Sequence, residues 1–386
     1  MLNLFSNERI YRTIKKIISI NSIYPNEYEL GIFLFDFLIK KGFKVKKHFI
    51  SEKRFNILAE KGNSDISYLL YAHLDTVPIY GNWETNPFEL VLSENKVFGL
   101  GSTDMKGGIV AIIRAVENFE PKNFKLKICF SVDEENFSEG AFSLSKTDWL
   151  DDVKGILVPE SCLPYSKSNK AERFITIGRK GRCVFNIIIK GKSSHGAEKE
   201  KGINSIEEGA LFLTKLKQLK FTENIKMGKT DFFARRFEGK TNSLSIPDYA
   251  EIELDFLIVP PDTSKLIKEK IEKFISELKL NNHLKADFIV KLSERPTPFL
   301  EPFELDEKNN FLQIAIKSMK KVYNEVFFNY GQSVADENVF GVLGIPTLTI
   351  GPLGDNHHSS NEWVDIKSLE SLSDVYRDIL FNLENI

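Results

Sequence analysis

The stretch Tyr68-Leu-Leu-Tyr-Ala-His-Leu-Asp-Thr-Val-Pro78 runs an apolar segment into a histidine and an aspartate two residues apart, closed by a proline. A short apolar run that stops at turn-forming residues reads as a buried strand. Its polar pair falls where the strand ends. The pattern returns at Ile128-Cys-Phe-Ser-Val132, which runs into Asp133-Glu-Glu135. Ligand sites of open α/β sheets lie beyond the carboxyl ends of the strands, so both placements point to one edge of one sheet. Working outward, apolar residues at three- and four-residue spacing predict helices over 7–20 and 26–41. Strands are expected over 43–50, 56–61, 68–73 and 125–132, with a helix over 109–119 after the Lys106-Gly-Gly108 turn. Strands alternating with helices of this length predict a mixed α/β sheet flanked by helices.

Between 179 and 296 the character changes. Strands are predicted over 183–189 and 251–259 and helices over 204–220 and 262–280, with no acidic or histidine ligand motif among them. Glycine and proline cluster at both junctions, Gly178-Arg-Lys-Gly181 and Arg295-Pro-Thr-Pro298, as linkers do. The segment reads as an inserted βαβ-type α+β domain, and 1–178 with 297–386 as one discontinuous domain. At 386 residues the chain is longer than one core usually grows, which fits two domains.

Composition removes several classes of function. Lys and Arg number 52 against 54 Asp and Glu, a net charge of −2, so no global field draws nucleic acid or an anionic membrane. No apolar run reaches the roughly 20 residues needed to span a bilayer. The start, Met1-Leu-Asn-Leu-Phe-Ser-Asn-Glu8, lacks the basic and apolar regions of a signal peptide. Cys129, Cys162 and Cys183 are single, odd in number and without Cys-x-x-Cys spacing, so buried free thiols and a cytoplasmic location are expected.

Seven residues carry the chemistry: His73, Asp75, Asp104 in Gly101-Ser-Thr-Asp-Met-Lys-Gly-Gly108, Glu134, Glu135, Glu160 in Val158-Pro-Glu-Ser161, and His358 in His357-His-Ser-Ser-Asn-Glu362. Imidazole and carboxylate suit a divalent ion such as zinc, and two ions a few ångström apart need a shared carboxylate. Singly, each motif has a plainer explanation. His73 and Asp75 fit a strand end and its turn, Asp104 fits a helix cap, and Glu134-Glu135 fits solvated surface charge. Two adjacent carboxylates repel unless a cation, solvent or a proton compensates. Jointly, and in this order, the motifs describe a two-metal centre.

Together these motifs resemble the acetylornithine deacetylase and succinyl-diaminopimelate desuccinylase family, which also includes aminoacylases and glutamate carboxypeptidase. The resemblance spans essentially the whole chain. It implies that His73, Asp104 and Glu160 hold one ion and Asp104, Glu135 and His358 the other. Asp104 would bridge across a cis Asp104–Met105 peptide. Asp75 would sit behind His73, and Glu134 would be the general base. The ions implied are zinc, with cobalt or manganese as alternatives. In the insertion, Ile189-Lys-Gly-Lys-Ser-Ser-His-Gly-Ala197 resembles the family's lid motif. It makes 179–296 a lid and dimerisation domain, with His195 donating to the oxyanion in the partner subunit's site. Without the resemblance, His195 reads as a surface-loop residue. Arg179 and Asn242 match positions that contact substrate in relatives. Two departures stand out: Asp255-Phe-Leu257 where many relatives have Asp-x-Arg, and Gln332-Ser-Val-Ala-Asp336 in place of Gly-Gly-Thr-Ser-Asp.

The expected function is a two-metal amide hydrolase that removes the acyl group from an N-acyl amino acid or related metabolite, working as a homodimer. A dipeptidase or carboxypeptidase is the alternative. A non-catalytic relative would have lost Glu134 or a ligand, and none is lost here.

Overall fold

The computed structural model describes residues 2–161 and 170–385, with side chains from Glu8 onward. Cys162 lies outside the described residues; Cys129 and Cys183 are buried and free. The chain divides into two compact units. One contains Met1–Gly178, Glu304–Gly331 and Ala335–Ile386, the other Arg179–Phe303 and Gln332–Val334.

The first unit is built on a mixed sheet in the order Lys44–Ser51, Arg54–Lys61, Lys125–Ser131, Ser67–His73, Val153–Val158, Thr347–Thr349, Phe174–Arg179. The outer pairs are antiparallel. The four strands from Lys125–Ser131 to Thr347–Thr349 run parallel, with His73 opposite Ser131. They are buried almost throughout, as Leu69, Leu70, Ile128, Phe130, Ile156 and Leu348 show. Parallel strands covered on both faces carry such continuous apolar runs. Because the four share one direction, their carboxyl ends lie along one edge of the sheet. The helices Leu2–Ile18, Gly107–Ala115, Asn310–Val322 and Ile366–Leu383 pack on one another, and Tyr28–Lys40 packs on the first two strands.

The helix expected over 109–119 is shorter, Gly107–Ala115. Asn118 adopts φ 61°, a left-handed conformation that ends a helix. A small second sheet in this unit, ordered Gly354–Asp355, Trp363–Asp365, Lys96–Phe98, Val91–Ser93, was not anticipated. Its strands are two or three residues long, too short to show a period.

The second unit has an antiparallel sheet ordered Asp231–Gly239, Tyr249–Ile258, Gly181–Lys190, Asp287–Leu292. Each neighbouring pair is antiparallel, so Gly181–Lys190 and Asp231–Gly239 run the same way with a strand between them. That is a split βαβ arrangement. The helices Ser205–Leu216 and Ser264–Leu280 begin later than the periodicity suggests, because Asn204 and Thr263 serve as N-caps and accept backbone N–H bonds. Phe185, Phe212, Phe256 and Ile271 anchor the core of this unit.

Candidate metal centre

Three of the parallel strands end at named acids or histidine, and the fourth leads to the last histidine. Ser67–His73 ends at His73 itself, Lys125–Ser131 leads to Glu134 and Glu135, and Val153–Val158 leads to Glu160. Thr347–Thr349 leads to the hairpin of the small sheet, whose turn carries His358 at φ 53°. Gly351 permits this crowding, because a Cβ there would stand 2.0 Å from the carbonyl oxygen of Glu160.

Asp104 lies in the irregular turn Ser102–Lys106, with φ −125° and ψ 88°, and its peptide bond to Met105 is cis. Its carboxylate does not cap the following helix, which has no side-chain cap. The helix-cap explanation is therefore set aside. Asp104 Oδ1 lies 3.2 Å from His73 Nε2, and Oδ2 lies 3.2 Å from His358 Nε2. His358 Nε2 is also 3.0 Å from Glu135 Oε2. Ligand atoms of His73, Asp104 and Glu135 all lie within 4.8 Å of one another. Glu160 stands outside that tight group, yet its charge reaches Glu134.

The second imidazole nitrogen of His73 differs from expectation. Nδ1 donates to the backbone carbonyl of Asp75 at 3.0 Å, while the Asp75 carboxylate is 3.7 Å away. The carbonyl holds the Nδ1–H and turns Nε2 toward Asp104, where it donates while the ring is charged and would offer a lone pair to an ion once the ring is neutral. The Asp75 carboxylate accepts instead from the backbone N–H of Glu134 at 3.2 Å and of Glu135 at 3.0 Å. The Asp75 carboxylate thus holds the neighbouring strand end, while its carbonyl holds the histidine ring.

Electrostatics describe a site built for cations. Burial, then the charges of Glu160, Glu135 and Asp336, push the Glu134 carboxyl well above its usual range. Burial and the Asp104 charge raise Glu135 to about 7. Asp104 stays well below its usual range, because hydrogen bonds from His358 and His73 outweigh the effect of burial. Hydrogen bonds to Asp104 and Glu135 lift His358 to about 11. Burial opposes charge on His73, but Asp104, Glu134 and Asp75 raise its pKa well above normal. Glu135 Oε1 is buried with no hydrogen-bond partner. A nitrogen-and-oxygen donor set, a surplus of buried anions and an orphaned carboxylate oxygen are what a divalent ion satisfies.

Several partners were not foreseen. Asp133, at φ 75°, accepts from the backbone N–H groups of Phe137 and Glu139 and from Arg54 at 3.2 Å. Arg54 also clamps the buried Glu27, its Nη2 donating at 2.7 Å. The Tyr71 hydroxyl donates to Asp336 at 2.5 Å, two residues before His73. Glu362 accepts three backbone N–H bonds from the Asp104 turn. Tyr71, Asp133, Asp336 and Glu362 lie inside the motifs above, but none carries a signal of what it binds. His357 is largely enclosed, burial lowers its pKa, and neither ring nitrogen has a hydrogen-bond partner.

The remaining expected residues belong to the second unit. His195 is exposed, and its Nδ1 accepts from Ala197 N at 3.2 Å. The turn carrying the exposed Asn242 is tied to the His195 segment by Gly196 N to Leu244 O and Ile246 N to Ser194 O, both 2.9 Å. Arg179 is buried at the end of Phe174–Arg179. Asp255, in the strand that lacks an arginine at 257, accepts from Arg182 through both carboxylate oxygens, at 2.9 and 2.6 Å.

Clustered histidines and carboxylates at the carboxyl edge of a mixed α/β sheet define a metal-dependent hydrolase of amide bonds. The model of Peptidase family M20/M25/M40 matches residues 69–382, and the chain belongs to that family. The chain is 26% identical over 385 residues to a succinyl-diaminopimelate desuccinylase of Aliarcobacter butzleri, covering 97% of this chain and 99% of that protein. Its fold is similar to that of an aminopeptidase of Bacillus cereus (TM-score 0.77, 17% identity, 97% and 98% of the two chains). It is also similar to that of a dinuclear metal-binding peptidase of Bacillus subtilis (TM-score 0.73, 16% identity, 98% of each chain). The family suggested by the motifs is thereby confirmed. Among the described residues, no helix is long and apolar enough to cross a membrane.

Proposed function

We propose that the chain is a two-metal deacylase in which His73, Asp104 and Glu160 hold one divalent ion and Asp104, Glu135 and His358 the other. The observation that carries this reading is Asp104, whose two oxygens each face a different histidine. Zinc fits the two imidazoles and three carboxylates. Bound there, such ions polarise a carbonyl and make water a nucleophile near neutral pH. The chain's own part begins with Glu134. Held by its backbone N–H on Asp75, it takes a proton from attacking water and returns it to the leaving nitrogen. Burial raises the Glu134 carboxyl, which favours its holding the proton between the two transfers.

The substrate we propose is an N-acyl amino acid or related N-acylated metabolite, supported by full-length similarity to a desuccinylase. Hydrolysis of short peptides is the second reading, favoured by the fold shared with an aminopeptidase. Residues 179–296 are proposed as the lid and dimerisation domain, with His195 donating to the developing oxyanion in the partner subunit's site and Arg179 and Asn242 contacting substrate. The exposure of His195 suits that role.

A panel of N-acyl amino acids and dipeptides, assayed with zinc-loaded protein, separates the two substrate readings. Hydrolysis of acyl amino acids alone supports the deacylase, and of dipeptides alone the peptidase. Protein that binds no divalent ion by elemental analysis overturns both. For His195, mixing His195→Ala with Glu134→Gln subunits regains activity after exchange only if the histidine acts across a dimer. A monomer in solution removes that role.

A further inference from the structure

The Glu362 carboxylate is 2% exposed and points into the turn that carries Asp104. Its Oε2 accepts from Gly101 N at 2.6 Å, and its Oε1 from Thr103 N at 2.8 Å and Asp104 N at 3.0 Å. Gly101 stands at φ 76°, and a left-handed residue followed by successive inward amides makes a nest for an anion. Here the anion is a side chain of the same protein. Among the described residues, the three bonds of the Glu362 carboxylate all go to backbone N–H groups of the turn, and none to His73, Glu135 or His358.

This contact joins two loops. Glu362 follows His358 by four residues in the hairpin turn, and its own backbone carbonyl accepts from Gly99 N at 3.1 Å. The same turn therefore presents His358 to Asp104 Oδ2 and grips the Asp104 backbone nitrogen. Burying one carboxylate beside another is a poor way to gain stability alone, since the desolvation of both must be offset. Lys106, buried two residues beyond Asp104, ties the same turn to the loop after the first helix, its Nζ donating to Ile20 O at 2.9 Å.

We infer that Glu362 is a positioning residue for the metal centre. It fills the amide nest of residues 101–104 and so sets the Asp104 carboxylate between His73 and His358 before any ion arrives. The inference rests on the two-metal reading above. It goes further in assigning the geometry of the shared carboxylate to a residue that touches neither ion nor substrate.

The test is metal binding, measured apart from activity. Zinc or cobalt affinity and stoichiometry are read by chelator competition for the wild type, Glu362→Gln and Glu362→Asp, with the Co(II) spectrum reporting the bridged pair. Replacing an outer partner of a ligand costs roughly 10–100-fold in metal affinity. That loss is expected for Glu362→Gln with its circular dichroism unchanged, and Glu362→Asp should recover part of it. Folded Glu362→Gln with wild-type affinity for both ions overturns the role. If Glu362→Gln does not fold, amide exchange in the metal-free wild type decides. Slow exchange at Gly101, Thr103 and Asp104 supports a turn set in advance, and exchange as fast as in open loops until metal is added overturns it. A wild-type protein that takes up no divalent ion defeats the two-metal reading first, before any variant is made, and the role of Glu362 with it.

Discussion

The two units use acidic residues in opposite ways. In the first, Asp75, Glu134, Glu135, Asp104 and Glu362 crowd together at the ends of buried strands. Several are raised in pKa; backbone amides hold Asp75 and Glu362, and histidines face Asp104 and Glu135. In the second, Glu238 lies on the edge strand Asp231–Gly239 and Glu251 and Glu253 on its neighbour Tyr249–Ile258, where Arg235 and Arg236 pair with them at 2.9 to 4.0 Å. The residue types are the same, but the solvent is not. A carboxylate beside water finds a cation cheaply and contributes little. A carboxylate withdrawn from water needs several fixed donors or a metal, and the arrangement that provides them becomes chemistry.

That contrast can be broken at four points. The largest effect is expected from Glu134→Gln, which should cut turnover by about 10²–10⁴-fold, the range for a lost acid–base group, while bound metal stays constant by elemental analysis. Near-normal turnover at full loading rejects the general base. Next comes Arg54→Met. It leaves Glu27, 1% exposed, without its guanidinium, and stripping one partner from a buried pair costs about 3–5 kcal/mol. Urea unfolding reads this directly; a loss below about 1 kcal/mol would place Arg54 with the surface pairs. Third, Asp75→Asn puts an amide where the N–H groups of Glu134 and Glu135 need an acceptor. We expect metal affinity to fall roughly 10–100-fold, and an unchanged titration would show that Asp75 merely fills space. The smallest effect belongs to Arg236→Ala, a barely detectable loss of thermal stability that shrinks further in high salt. A loss as large as that of Arg54→Met would erase the contrast between the units.

What the sequence revealed follows the same division. Buried parallel strands carry unbroken apolar runs, so Ser67–His73, Lys125–Ser131 and the acids after them were legible together. The strand Asp231–Gly239 was not, because nearly every side chain is exposed on both faces and no alternation marks it. The ligand candidates were legible as motifs, whereas the groups that hold them were not. The Asp75 carboxylate holds two amides of another strand end, and only its carbonyl meets the His73 ring. Arg54 bonds to Glu27 and Asp133, and Glu362 to Gly101, across 27 to 261 residues. Hydrogen bonds across such separations are chosen by tertiary structure, and no local pattern encodes them.

The position of Thr347–Thr349 between Val153–Val158 and Phe174–Arg179 bears on how the protein is made. Domains assemble as the ribosome releases them, amino end first, at about 5–20 residues per second. The second unit draws nearly all its strands and core from one continuous stretch, so it is ready to fold while the rest of the chain is still emerging. The first unit cannot close its sheet at that point, because the interior strand Thr347–Thr349 follows the whole continuous segment of the second unit. Until that strand slots in, two sheet strands have open edges, which is the exposure that invites aggregation. The two open edges can be closed only once residues 347–349 have emerged and are free to pair.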